Sequence, residues 1–153
     1  MEIRNATIDD AQAISSLVMV TAKAQLRDEF SDDGWVLFQR LLSEKTQIDL
    51  LKNKAFNYRV AIINNEIVGV LAAKNISHLF HFFIHPNWQN QGVGGKLWAS
   101  YLQNISAIKS INSVTVNASD FALKFYLKIG FTIKQPRKIN NGMCFTAMEY
   151  SLH

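Results

Sequence analysis

The stretch Ile84-His85-Pro86-Asn87-Trp88-Gln89-Asn90-Gln91-Gly92-Val93-Gly94-Gly95-Lys96-Leu97-Trp98 decides how this chain is read. An apolar run from Leu79 to Ile84 stops at Pro86. A polar loop follows, then three glycines, then apolar residues at helical spacing. A strand passing through such a loop into a helix can aim several bare backbone N–H groups, and the positive end of a helix dipole, at one anion. Glycine suits that task because a phosphate approaches the backbone only where no Cβ intervenes. The junction therefore predicts a phosphate-bearing ligand.

Working outward, 153 residues, 48% of them apolar, are enough for one domain, residues 1–153, with its own core. No apolar run reaches the ~18 residues of a membrane span. Met1-Glu2-Ile3-Arg4 lacks the layout of a signal peptide. Cys144 is the only cysteine, so no internal disulfide forms. These features predict a cytoplasmic, soluble protein, monomer or homodimer, with no membrane partner and no metal. The net charge of +4 suits an anionic ligand. Its densest basic groups, Lys52-Asn53-Lys54 and Arg137-Lys138, lack the interleaved aromatics of a nucleic-acid surface, and no nucleic-acid partner is expected.

Before the loop, Ile3 to Asn5 reads as a short extended piece. Thr7-Ile8-Asp9-Asp10 resembles a capping box, and Ile14, Leu17, Val18 and Thr21 recur at helical spacing behind it. Asp28 to Gly34 is an acidic loop. Trp35, Phe38, Leu41 and Leu42 mark a second helix, and Ile48 to Leu51 a further short one. Tyr58 to Ile63 and Ile67 to Ala73 form a hairpin about Asn64-Asn65, and His78 to Ile84 is the next strand. After the loop come a helix from Gly94 to Ile108, a strand at Val114 to Val116, and a helix carrying Phe121 to Leu127. Gly130 ends that helix as a left-handed residue. Phe131 to Ile133, a turn at Asn140-Asn141-Gly142 and a strand from Met143 to Leu152 close the chain. The order, β-α-α-β-β-β-α-β-α-β-β, is a mixed α/β (α+β) pattern.

Three glycine motifs compete for the loop. A Walker A site needs a glycine where Asn90 stands and Ser or Thr where Leu97 stands. A dinucleotide fingerprint needs a third glycine where Leu97 stands. What remains is Gln89-Asn90-Gln91-Gly92-Val93-Gly94, which is similar to Gln/Arg-x-x-Gly-x-Gly/Ala, the acyl-CoA loop of the GNAT superfamily of N-acetyltransferases. Phe83-Ile84-His85-Pro86 resembles the strand end before that loop. Asn117, Ala122, Phe125-Tyr126 and Gly130-Phe131 resemble the family's second motif, and Met148-Glu149-Tyr150 its last strand. The likeness runs over residues 76–152.

The resemblance implies a GNAT fold: a central, mixed but mostly antiparallel sheet of about seven strands, flanked by about four helices. Its fourth and fifth strands would splay before Pro86 and Asn117. It implies acetyl-CoA as the acyl donor and a primary amine as acceptor (small molecule, amino acid or peptide), attacking directly in a ternary complex. A CoA-binding sensor that has lost turnover is the alternative. In the cofactor-binding loop that starts at Gln89 and Asn90, backbone N–H groups of Gln91, Gly92, Val93, Gly94 and Gly95 would hold the diphosphate, and Lys96 would add a charge. The backbone of Phe82, Phe83 and Ile84 would pair with the pantetheine arm, and Asn117 would bond it or a backbone group.

Tyr126 is the implied general acid, although a tyrosine between Phe125 and Leu127 is also a ready core residue. Its reference pKa of ~10 exceeds a thiol's ~8.5, so proton transfer to the leaving thiolate is uphill by about 2 kcal/mol. An alkyl amine, only about one part in 2,500 neutral at pH 7, must also be deprotonated at a cost of roughly 4.6 kcal/mol. Many relatives use a glutamate for this. The chain has none between Ile67 and Gly95, but it has His78, His81 and His85. His78 falls six residues before Ile84, where several relatives carry their base, and strict alternation puts it on one strand face with Phe80, Phe82 and Ile84, so the resemblance implies it as the base; His81 points the other way unless a bulge intervenes. The acceptor would enter over the acidic loop, where Glu29, Phe30, Asp33 and Trp35 could attract a cationic amine.

Overall fold

The computed structural model describes residues 1–153. Its strands are β1 (Glu2–Asn5), β2 (Phe56–Ile63), β3 (Glu66–Lys74), β4 (His78–Ile84), β5 (Ser113–Ala118), β6 (Thr132–Ile133), β7 (Lys138–Asn140) and β8 (Met143–Ser151). Its helices are α1 (Ala11–Gln25), α2 (Asp32–Leu42), α3 (Glu44–Lys52), α4 (Val93–Ile105) and α5 (Leu123–Ile129). The sheet runs β1-β2-β3-β4-β5-β8-β6, with β7 paired to β8. All neighbours are antiparallel except β4 and β5. This is the arrangement the resemblance implied. The strand beyond the sequence count is β7, and α3 begins four residues before the short helix read at Ile48 to Leu51. Its first turn, Glu44-Lys45-Thr46, is polar and hides the start of the helix from an apolar periodicity, but Ser43 caps it through Thr46 N–H at 3.2 Å.

Two layers of helices cover the sheet. On one face Ile14, Leu17 and Val18 of α1, with Trp35 and Leu42 of α2, pack on Tyr58, Val60, Val70 and Ala72. The α1 residues fall at i, i+3 and i+4, one helical stripe. On the other face Val93, Leu97, Trp98, Tyr101 and Ile105 of α4 and Tyr126 of α5 pack on Leu71, Leu79, Val114, Val116 and Met148. No helix is long and apolar enough to cross a membrane.

One irregularity corrects the sequence reading. Ala72 stands opposite His81, but Ala73 stands opposite Leu79, so Phe80 is an extra residue in β4. A bulge shifts the alternation by one residue beyond it. Leu79, Phe82 and Ile84 consequently belong to the α4–α5 face. His81 and Phe83 turn to the opposite face, against Tyr58 and each other. His78 does not share a face with Phe82 and Ile84: it pairs in register with Thr115, on the side away from buried Val114 and Val116.

Candidate active site

The site starts where β4 leaves β5. The two strands pair only at His78–Thr115 and Leu79–Val116 and then part. His85 N–H donates to Val68 O at 2.8 Å, and Phe83 stands opposite Val70. Main-chain groups alternate in direction along an antiparallel strand, so those of Phe83 face β3 while those of Phe82 and Ile84 face the gap. Of the three residues expected to offer backbone to the pantetheine arm, Phe82 and Ile84 are therefore in position and Phe83 is not. Ile84 O is already held by Gln89 Nε2 at 2.9 Å, which leaves the Ile84 N–H.

Beyond the gap lies the glycine loop. No N–H from Asn90 to Gly95 makes a well-formed hydrogen bond within the chain; the first to do so is Lys96, to Gly92 O at 3.1 Å. Asn90 (φ 60°) and Gly92 (φ 84°) hold left-handed conformations that turn the loop into α4. The three glycines serve different ends. Gly92 meets the φ requirement. A Cβ on Gly94 would stand 3.2 Å from the Phe125 ring, so this glycine seats α4 against α5. Gly95 has neither a positive φ nor a neighbour within 4 Å of a Cβ. Nothing in the chain itself requires a glycine there, and the bare backbone faces open space as a phosphate cradle needs. Lys96 is exposed beside it, whereas the Val93 side chain is buried.

Gln89 works through its side chain. It exchanges two amide hydrogen bonds with Gln25 of α1, at 2.9 and 2.7 Å, and also holds Ile84 O. The loop is thereby tied to both α1 and β4. Gln25 was invisible in the sequence because no spacing rule links residues 64 positions apart.

Tyr126 is 5% exposed, with its ring edge-on to Phe82 and Phe131 at 6.1 and 5.2 Å. Two other tyrosines are equally buried, and both are bonded: Tyr58 OH to Gln47 Oε1 at 2.8 Å and Tyr101 OH to Ile76 O at 2.5 Å. Tyr126 OH has no partner in the chain, yet the one fully sealed side-chain atom without a partner is His81 Nε2. The Tyr126 hydroxyl is therefore unpartnered without being fully sealed. Burial pushes its pKa well above the usual phenol value, which keeps the proton on.

The other side of the gap carries the histidines. His78 Nδ1 lies 2.8 Å from Thr115 Oγ1, leaving Nε2 free. Partial burial first, then nearby Lys74, hold its pKa below the ordinary histidine value. His81 is sealed and driven down to about 3 by burial, so it stays neutral and out of reach. His78 and Asn117 together line a cleft of about 290 Å³, walled on its far side by Lys134, Gln135 and Lys138.

The acidic loop does not form the open acidic patch its sequence suggested. Both Glu29 oxygens are taken, by Asp120 N–H at 2.6 Å and Phe121 N–H at 3.1 Å. Burial raises the Glu29 pKa despite those bonds. Asp32 pairs with Arg27. Phe30 stacks on Phe38 at 4.6 Å and meets Trp35 edge-on at 5.6 Å, while Arg27 lies over the Trp35 ring at 5.5 Å. Asp33 remains exposed in the first turn of α2. The loop also locks onto the β7–β8 turn: Ser31 N–H donates to Gly142 O at 3.1 Å, and a Cβ on Gly34 would stand 2.5 Å from that oxygen.

A strand parted from its neighbour and followed by an unbonded amide loop at a helix start is the arrangement expected of an acyltransferase. More particularly, the chain belongs to the acetyltransferase (GNAT) domain family, whose model matches residues 19–152. Solved structures share the fold. A GCN5-related N-acetyltransferase from Rhodopseudomonas palustris superposes with a TM-score of 0.82 at 22% identity, covering 98% of this chain and 94% of that one. PaiA N-acetyltransferase from Thermoplasma acidophilum, in complex with coenzyme A, gives 0.81 at 17% identity, with 98% of each chain covered. An aminoglycoside 6'-N-acetyltransferase, also complexed with coenzyme A, gives 0.72 at 13% identity, covering 100% of this chain and 98% of that one. No curated protein matches by sequence.

Proposed function

We propose that residues 1–153 form one acetyl-CoA-dependent N-acetyltransferase domain acting on a primary amine by direct attack in a ternary complex. The observation that carries this reading is the run of unbonded N–H groups from Asn90 to Gly95, at the open end of the β4–β5 gap. Those donors, with Lys96, fit a diphosphate. The free edge of Phe82 and Ile84 fits the amides of an extended pantetheine arm. Acetyl-CoA, when bound, supplies a thioester carbon to which the amine nitrogen bonds as the C–S bond breaks and its electron pair leaves on sulfur.

The residues divide the proton work between the two faces of the sheet. With Nδ1–H donating to Thr115, His78 keeps a lone pair on Nε2 and takes the proton the amine releases. The Phe82 N–H, aimed into the gap, stabilises charge on the carbonyl oxygen. Tyr126, on the α5 side, gives its proton to the departing sulfur and regains one from solvent, to which His78 returns its own. The amine thus enters over one face and the sulfur leaves toward the other.

Purified protein should release thiol from acetyl-CoA only when an amine is present, read with a free-thiol reagent across a panel of amines and peptides. Tight CoA binding with no release for any acceptor would leave a sensor instead. His78 also predicts a pH limb. Only its neutral form accepts a proton, and its pKa lies below 6.5, so kcat is level from there toward neutrality and falls as pH drops through that pKa. His78→Ala should lower kcat by about 10²-fold and remove the limb. A variant that kept an unchanged acid limb would exclude His78 as the base.

A further inference from the structure

We infer that the acceptor is an amine that also carries a carboxylate. This deepens the acetyl-transfer reading and rests on it. The cleft that holds His78 on one wall has Lys134, Gln135 and Lys138 on the other, and no Asp or Glu lines it. The chain's ion pairs join Arg4 to Asp10, Arg27 to Asp32, Lys134 to Glu149 and Arg137 to Asp120. Lys138 therefore has no carboxylate partner. It is held instead over the Phe145 ring, its Nζ 5.3 Å from the centroid, and Phe145 lines the same cleft. Lys134 shares its charge with Glu149 at 3.3 Å, on the exposed rim.

Charge decides what enters. Of the acids in the acidic loop and before α5, Glu29 is committed to the amides before α5, Asp32 to Arg27 and Asp120 to Arg137, while Asp28 and Asp33 are exposed and do not line the cleft. A diamine would place its second cation among Lys134 and Lys138, where the nearest acid, Glu149, is already paired with Lys134. An amino acid, or a peptide with an acidic group near its amine, would set its carboxylate on Lys138 and the Gln135 amide. Its nitrogen would then lie toward His78 Nε2 across the cleft. A charge-assisted hydrogen bond of this kind is worth about tenfold or more in discrimination.

The test compares amino acids and ω-amino acids with their amides, and with diamines of matched length, by thiol release from acetyl-CoA. Carboxylates should exceed their amides by about tenfold or more in kcat/KM. In Lys138→Gln that ratio should fall to near one, and Lys138→Glu should turn the preference toward diamines. Amides or diamines that react as well as carboxylates, or a ratio untouched in Lys138→Gln, would overturn the proposal while leaving acetyl transfer standing. Calorimetry on the CoA-loaded protein separates the two readings. Carboxylate amines that bind without thiol release, and lose binding in Lys138→Gln, would keep the anion site and remove the transfer. Carboxylates that neither bind nor react would remove the anion site.

Discussion

Tyr126→Phe is expected to lower kcat by about 10²–10⁴-fold, the cost of deleting a general acid, with the Kd of CoA changed by no more than about twofold. The reason lies in what the hydroxyl does not do. It bonds to nothing in the chain, whereas the hydroxyls of Tyr58 and Tyr101 are satisfied by Gln47 and by Ile76 O. Removing it therefore breaks no internal contact, and the phenyl ring still fills the place between Phe82 and Phe131. Tm should stay level in Tyr126→Phe and fall in Tyr58→Phe, where a hydrogen bond of about 1 kcal/mol is lost and the buried Gln47 Oε1 is left without a donor. The raised phenol pKa does not argue against the role. A thiolate forming in the same poorly solvated gap is destabilised by the same burial, so both pKa values rise and their difference governs transfer. Steady-state thiol release at saturating acetyl-CoA and acceptor measures kcat, and calorimetry measures Kd. An unchanged kcat would remove Tyr126 from the chemistry.

What could be read from the sequence followed from constraints that are local. Pro86 stopping a strand, glycines opening a helix, and a tyrosine before Gly130-Phe131 each impose backbone or packing demands within a few residues. What could not be read depends on distant partners. The bulge at Phe80 has no signal in His78-Leu79-Phe80-His81-Phe82-Phe83-Ile84, because aromatic and aliphatic residues fill both faces and no alternation is broken. One inserted residue then exchanges the faces of everything after it. Glu29 looked like a substrate ligand because charge in a loop carries no record of its partner, and its partners lie 91 and 92 residues away. Arg137-Lys138 stood out as a dense basic pair, but only the fold divides it. Arg137 turns to Asp120, while Lys138 turns over Phe145 into the cleft. The cationic wall opposite His78 thus belongs to the fold, and the acidic loop gave no sign of it in the sequence.

Gly95→Glu should separate cofactor binding from folding: Tm rises while the Kd of CoA weakens by about 10²-fold. Residue 95 is the third position of α4, after the cap residue Gly92. Replacing glycine there restores helix propensity, and an acid in the first turn favours the dipole, together worth about 1 kcal/mol or roughly 3 °C. A Cβ at this position meets nothing within 4 Å, so no clash offsets the gain. A glutamate at the third position also reaches back to the N–H of its cap residue, here Gly92, which removes one of the donors the diphosphate needs. Its charge adds repulsion: at about 5 Å and an effective dielectric near 20, one pair of like charges costs about 3 kcal/mol, equivalent to about 10² in Kd. Gly95→Gln has nearly the same shape without the charge and should weaken binding much less. High salt should narrow the gap between the two variants, because the site is open to solvent. If Gly95→Glu bound CoA as tightly as the parent chain, the diphosphate would have to lie elsewhere, and the unbonded amides from Asn90 to Gly95 would need another explanation.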